Sequence, residues 1–417
     1  MTTTTEPPRE QNAVAGWVTS TRHALDRPLT SYYLLLGAST LLLTIGLMMV
    51  LSASSVYSYK LHGSSYHIFT KQLLWVAIAL PVAFVASRLP HRFLRALAWP
   101  GLMVSTVLLV LTQVGFGREV NGNTNWLALG PMTLQPSEIA KLAIILWAAD
   151  LYARKERLLG DWRHALIPVV PVTLMLTALV IKGGDLGTAL VMFAIILGLL
   201  WVVGAPARIF GLSLLVVGVV ALYLAGSSAE RLERLTNFVD PFKNYEGAGW
   251  QAAHGLFAMS SGGWFGKGIS ASQQKWGSLP EAHTDFIFAV LGEELGLVGT
   301  LLVLVLFLTI AYAGVRVAVR TSDPFVRYMA AGITVWLTAQ MMINVGMVLA
   351  LLPVIGIPLP LVSYGGSALL PSLVALGLLV SFARSEPGAA EALRARRRRR
   401  PVGRGRTATG RQTRRGT

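Results

Sequence analysis

Residues 165–206 read ALIPVVPVTLMLTALVIKGGDLGTALVMFAIILGLLWVVGAP. Two apolar runs, each about the length that crosses ~30 Å of hydrocarbon as a helix, meet at Lys182-Gly183-Gly184-Asp185. The glycines and the two charges interrupt the pattern, so the stretch reads as two spans joined by a tight turn or as one broken unit. Moving outward, the same window finds apolar runs at 31–52, 70–88, 99–116 and 137–153 before it, and at 209–226, 286–315, 328–352 and 361–383 after it. With 165–182 and 186–206 these make ten candidate spans. The expected fold is all-α: a polytopic integral membrane protein with about ten transmembrane helices.

Composition points the same way. Of 417 residues, 53% are hydrophobic and only 13% charged, a balance that a water-soluble chain of this length could not hide in one core. The bilayer must therefore be the solvent. The net charge is +16, but Arg384 onward holds twelve Arg against Glu386 and Glu391, so ten of those charges lie in the C-terminal tail. The absence of Cys excludes disulfides, thiolate nucleophiles and cysteine-ligated metals.

Short cytoplasmic loops collect Lys and Arg, which tests both the count and the orientation. Arg88, Arg92 and Arg95 fall between spans two and three, Arg154, Lys155, Arg157 and Arg163 between four and five, Arg208 between six and seven, and Arg316, Arg320 and Arg327 between eight and nine. Both termini then lie in the cytoplasm. Residues 1–30 read as a polar cytoplasmic lead-in to a first span that anchors rather than being cleaved. Residues 31–384 form the membrane domain, and 385–417 a basic, low-complexity tail expected to be disordered. Its first expected contact is with anionic lipid headgroups, ahead of a protein partner, and no nucleic acid is expected.

The outer connections are then 53–69, 117–136, 183–185, 227–285 and 353–360. The fourth, between helices 7 and 8, is about 60 residues, far beyond ordinary loops, and implies a functional or independently structured extracytoplasmic segment.

Common catalytic patterns fail: there is no HExxH, no GxSxG elbow, and Gly262–Gly268 lacks the spacing of a phosphate loop. Seven scattered His argue against a zinc site. What remains is ionisable groups in or beside hydrocarbon, each a functional candidate because it is costly there.

The first group is Gln135-Pro136-Ser137-Glu138 with Lys141. Pro136 suits a helix start, and Glu138 and Lys141, three apart, share a face. They read as a self-neutralising pair or as a cation placed to hold a phosphate. The second group is Pro280-Glu281-Ala282-His283-Thr284-Asp285-Phe286, then Glu293-Glu294-Leu295-Gly296. Asp285, beside Phe286 and Phe288, is a candidate general base if desolvation raises its pKa, or an N-cap if the helix start keeps it charged. The third group is Asn344-Val345-Gly346, Pro353, Pro358, Pro360 and Ser363-Tyr364-Gly365-Gly366-Ser367. Its Pro and Gly exclude a continuous helix, and irregular backbone at that depth must line a cavity, unless the small residues serve close helix packing. In the long loop, Arg231 and Arg234 are either solvated decoration or part of a basic and aromatic cleft for a diphosphate and sugars.

At these blocks, with Asp185-Leu186-Gly187-Thr188 and Pro360-Leu361-Val362-Ser363-Tyr364-Gly365-Gly366-Ser367, the sequence resembles the SEDS family of bacterial shape, elongation, division and sporulation proteins (FtsW, RodA, SpoVE). The likeness runs from about residue 31 to 384. Gln273-Gln274-Lys275-Trp276 and the wording around Trp147–Arg157 look closest to its actinobacterial FtsW branch. One departure is Asn125 before Trp126, where many members carry Arg.

The resemblance implies a peptidoglycan glycosyltransferase that polymerises lipid II at the outer face of the cytoplasmic membrane, for septal synthesis. Its partners would be undecaprenyl diphosphate-linked glycan, a class B penicillin-binding protein and other divisome proteins. The implied reaction needs a base for a sugar hydroxyl and a cation for a departing diphosphate. The expected catalytic residue is Asp285. The expected substrate-binding residues are Lys141, Glu138, Ser137, Gln135, Arg231, Arg234, His283, Glu281, Ser363, Gly365 and Gly366. No metal ligands are assigned, and a divalent cation is left open as cofactor. The rival readings are a lipid II flippase and a RodA-type elongation polymerase.

Overall fold

A computed structural model describes residues 27–120, 123–130, 132–226, 240–247, 249–389 and 391–392. The first membrane hairpin pairs α1 (Thr30–His62) with α2 (His67–Ala86). A short α3 (His91–Ala96) leads to α4 (Ala98–Gln113) and a three-stranded antiparallel sheet, β1 (Gly117–Val120), β2 (Asn123–Leu129) and β3 (Met132–Leu134), in that order. Then follow α5 (Pro136–Arg154), α6 (Trp162–Leu166), α7 (Val169–Lys182), α8 (Leu186–Val203) and α9 (Ala207–Gly226). Helix α10 (Trp250–Ser261) lies within the long connection, and α11 (Ile287–Arg320), α12 (Pro324–Val348) and α13 (Gly366–Ala383) complete the bundle. The sheet is an addition that the apolar windows did not foresee.

Each of the ten windows contains a helix. Among the described residues seven helical stretches are long and apolar enough to cross a bilayer, the stretch from Trp162 to Lys182 among them, while α4 and α9 are shorter apolar helices. Helix α5 is the polar exception: it carries Glu138, Lys141, Asp150 and Arg154, and sits inside the bundle with Trp147 and Tyr152 fully covered. By contrast α9 exposes Leu212, Leu214, Leu215 and Val219. Apolar side chains facing outward beside buried charges is the arrangement that lipid, not water, rewards. The chain is a polytopic membrane protein.

Residues 165–206 resolve as two helices, α7 and α8, joined at Gly183–Asp185. Asp185 caps α8 by accepting the Thr188 N–H at 2.8 Å. Helices α1 and α11 overrun their windows because hydrogen bonding continues past the point where side chains turn polar. The window 361–383 shortens to Gly366–Ala383, and 349–365 is irregular, as its prolines and glycines require.

Helix α11 is broken at Gly296, whose φ of 67° and ψ of −165° are non-helical. A Cβ there would strike the backbone of Trp264 and Gly266. Beyond the break, Leu297–Arg320 is roughly 36 Å of helix, enough to cross by itself. The break frees backbone groups that the long loop satisfies: Leu297 N donates to Gly263 O (2.9 Å) and Val298 N to Trp264 O (3.1 Å), while Lys267 N and Gly268 N donate to the carbonyls of Glu293 (2.9 Å) and Glu294 (3.0 Å). Buried charges add to the clasp. The Lys275 ammonium donates to Glu294 Oε1 and to Ser52 Oγ, both at 3.0 Å, and Ser52 Oγ donates to Glu294 at 2.6 Å. Glu293 accepts from Lys267 Nζ (2.9 Å), Ser272 Oγ (2.6 Å) and Gln273 N (3.0 Å). The loop is thereby fixed to α1 and α11.

Candidate active site

Asp285 sits two residues before α11. Phe286 occupies the cap position, and no side chain caps that helix, so the N-cap alternative for Asp285 does not describe the structure. Its backbone is held on several sides. Asn344 Nδ2 of α12 donates to Asp285 O (2.8 Å) and to Ile357 O (2.7 Å). Ser363 Oγ donates to Thr284 O (2.6 Å) and accepts from Leu359 N (2.8 Å), and Tyr364 N donates to His283 O (2.9 Å). Within the turn, Phe286 N donates to Glu281 O (3.1 Å) and Thr284 Oγ1 to Glu281 Oε2 (2.7 Å). The acidic turn and the irregular 353–365 segment are thus stitched into one wall.

The carboxylate itself is left without a hydrogen-bond partner among the described residues. Burial, and then the negative charges of Glu281 and Asp185, push its pKa from 3.8 to about 7. Gly356 approaches it so closely that a Cβ there would lie 3.4 Å from Asp285 Oδ2, and at φ 69° the position favours glycine in any case. His283 is buried, which lowers its pKa, partly offset by Glu281, so its ring is held neutral near pH 7.

Asp185 is a site residue that sequence reasoning quoted only as part of a motif. The α7–α8 turn brings it towards Asp285, and Gln135 Nε2 donates to its Oδ2 at 2.9 Å. The signal was available: a lone carboxylate between two apolar runs. Asn125 is buried against the same turn, its side chain filling the space where Gly183 lacks a Cβ.

Lys141 is placed differently. It is 1% exposed; its ammonium donates to Glu138 Oε1 (2.8 Å) and Gln340 Oε1 (2.9 Å) and lies 5.1 Å from the Trp336 ring centroid. Gln340 also accepts from Trp336 Nε1 (2.8 Å) and donates to Pro358 O (3.0 Å). Gln340, which sequence reasoning passed over, therefore ties the buried ion pair to the irregular segment. One turn on, Asn344 ties that segment to Asp285. A cavity of about 10 Å³, room for about one water, lies between Gln340, Ser363 and Ser372.

The structure thus gathers Asp285, Glu281, His283, Ser363 and Gln135 around one wall. Gly365 joins it through a bond from its N–H to Gln72 Oε1 (3.3 Å), and Gly366 packs its missing Cβ position against Trp75. Lys141 and Glu138 reach the wall through Gln340, and Ser137 is buried among Leu109, Thr112 and Asn125. Arg231 and Arg234 lie outside the described residues. Among the described residues no three His, Asp or Glu side chains are grouped as metal ligands.

This fold and site define a class: a multispanning membrane protein with an acidic, backbone-clamped candidate site at the start of α11. The family model described as "Cell cycle protein", covering FtsW, RodA and SpoVE, matches residues 32–387, and the chain belongs to that family. It is 44% identical over 374 residues to a probable peptidoglycan glycosyltransferase FtsW of Mycobacterium tuberculosis, covering 89% of this chain and 71% of that one. It is 36% identical to the stage V sporulation protein E of Bacillus subtilis, covering 84% and 96%. Among solved structures, the rod shape determining protein RodA of Thermus thermophilus superposes with TM-score 0.62 at 28% identity, covering 85% and 97%. A chain of a peptidoglycan synthase complex that coordinates polymerization and crosslinking superposes with TM-score 0.66, also at 28% identity, covering 84% and 97%.

Proposed function

We propose that this chain is a peptidoglycan glycosyltransferase that polymerises lipid II at the outer face of the cytoplasmic membrane during septal synthesis. The observation that carries this reading is Asp285, whose backbone is clamped, whose carboxylate is unpartnered among the described residues, and whose pKa is pushed up to about 7, near that of a useful general base. In the reaction, Asp285 takes the proton from the 4-hydroxyl of the acceptor sugar as its oxygen bonds to the donor's anomeric carbon. The bond from that carbon to the diphosphate oxygen breaks, and undecaprenyl diphosphate leaves as an anion.

The cation for that leaving group is assigned to Arg231 or Arg234. Lys141, sealed by Glu138, Gln340 and Trp336, acts by holding Pro358 and hence the wall beside Asp285. The basic loops support cytoplasmic termini, and among those loop residues Arg95 joins Arg154 in bonding Asp150, at 2.7 Å each. The domain assignment follows: a cytoplasmic lead at 1–30, the membrane enzyme at 31–384, and a lipid-contacting basic tail at 385–417, the lead almost wholly, and the tail largely, outside the described residues. A class B penicillin-binding protein supplies crosslinking, its membrane helix packing on the exposed apolar rim. The test is glycan synthesis from purified lipid II by the Asp285→Asn protein, with thermal melting as folding control. Synthesis should fall by about 10²–10⁴-fold in a folded protein. Undiminished synthesis would remove Asp285 as base.

A further inference from the structure

The site described so far has a proton acceptor but no surface to hold a sugar ring against it. A hexopyranose whose substituents are equatorial presents a flat face of C–H groups, and proteins hold such faces against exposed aromatic rings, which offer a rigid apolar plane at little entropic cost.

Three rings form a continuous series at this site. Tyr57, near the end of α1, lies 5.2 Å centroid to centroid from His283, and His283 lies 5.6 Å from Tyr364. The planes are tilted by 31° and 41°, and with His283 8% exposed and Tyr364 partly buried these two rings back the exposed Tyr57 ring. His283 is two residues from Asp285, and its backbone is bonded to Tyr364 N, so this backing and the carboxylate belong to one wall. Tyr57 is 48% exposed, although its neighbours in the chain, Ser54 and Ser58, are buried. One turn further along α1, Lys60 donates to Trp276 O at 3.0 Å, and the Trp276 indole is 65% exposed. Lys60 thus links the exposed Tyr57 end of α1 to the exposed Trp276 ring.

We propose that the exposed Tyr57 ring, backed by the buried His283 and the partly buried Tyr364, forms a saccharide-binding platform that seats the acceptor sugar with its hydroxyl toward Asp285. Lys60 and Trp276 continue the track for the next sugar and its anionic peptide. The proposal rests on the polymerase reading for the identity of the sugar, but its geometry does not depend on turnover. None of these contacts uses the Tyr57 hydroxyl, so the ring itself is what matters.

The experiment measures two quantities with purified lipid II as probe: its dissociation constant for the detergent-solubilised full-length protein, and the initial rate of glycan synthesis against its concentration. Tyr57→Ala should weaken binding and raise KM by about tenfold, with kcat within about twofold of wild type. Tyr57→Phe and Tyr57→Trp, which keep a ring, should bind within about twofold of wild type. Asp285→Asn should show the opposite split, losing kcat while retaining affinity. Unchanged binding by Tyr57→Ala overturns the platform, and so does an equal loss in Tyr57→Phe, which would point to the hydroxyl. If wild type binds lipid II in a Tyr57-dependent manner yet makes no polymer, the platform stands and the polymerase reading falls. If wild type does not bind lipid II, both fall.

Discussion

Asp285 and Glu294 stand nine residues apart at the same end of α11, yet their surroundings are opposite. Glu294, fully buried, is saturated: Ser52, Lys275 and the Ser272 N–H all donate to it. Asp285 has its backbone bound and its carboxylate oxygens unpartnered among the described residues, with two further carboxylates nearby raising its proton affinity. A carboxylate whose lone pairs are all satisfied stabilises one conformation and has nothing left for a substrate. A carboxylate held by its main chain alone is poised to exchange a proton. Position on the helix does not distinguish structural from chemical acid; the partner list does.

The comparison is broken most sharply by exchanging the two outcomes. Asp285→Asn should abolish synthesis by the factor given above and leave the melting temperature no lower. Glu294→Gln leaves the Lys275 ammonium buried without its counter-charge, and should destabilise the protein by about 3 kcal/mol or more, measured by thermal melting in detergent. If Lys275→Met with Glu294→Leu melts no higher than either single variant, the pair is not what Lys275 and Glu294 contribute.

Next in size is a pH effect on stability. Because the folded pKa of Asp285 is raised, the folded state binds a proton that the unfolded chain has released between about pH 4 and about 7, so stability contributed at low pH is lost as pH rises through that window. Melting temperatures of wild type and Asp285→Asn should therefore coincide near pH 4 and diverge toward pH 8, wild type falling below the variant. Parallel curves would contradict the assigned burial.

The smallest effect concerns the neighbour. Glu281 raises the Asp285 pKa, so Glu281→Gln should move the acid limb of the pH–rate profile to lower pH, by under about one unit. An unmoved or upward-shifted limb would separate Glu281 from the base. For the buried pair on α5, Lys141→Ala should lower both melting temperature and synthesis, because Glu138 is left uncompensated and Pro358 loses its tether. A folded, fully active variant would remove Lys141 from the site's support.

Ten spans and the irregular stretch after α12 were legible in the sequence. Apolar window length, and the backbone limits of Pro and Gly, are local properties that lipid turns into structure. The acidic block before α11 was legible as a candidate site because a carboxylate beside hydrocarbon is costly wherever the chain folds. The sequence left open whether Asp285 capped a helix or faced a site, and whether Lys141 was free or sealed, since each depends on residues far away in the chain. Phe286 takes the cap; Gln340, 199 residues from Lys141, completes its shell. Asp185 acquires its influence on Asp285 only because the α7–α8 turn is folded back onto the same wall. Hydrophobic length fixes how many times the chain crosses the membrane; only packing between crossings decides which buried charges neutralise one another and which one is left without a partner among the described residues.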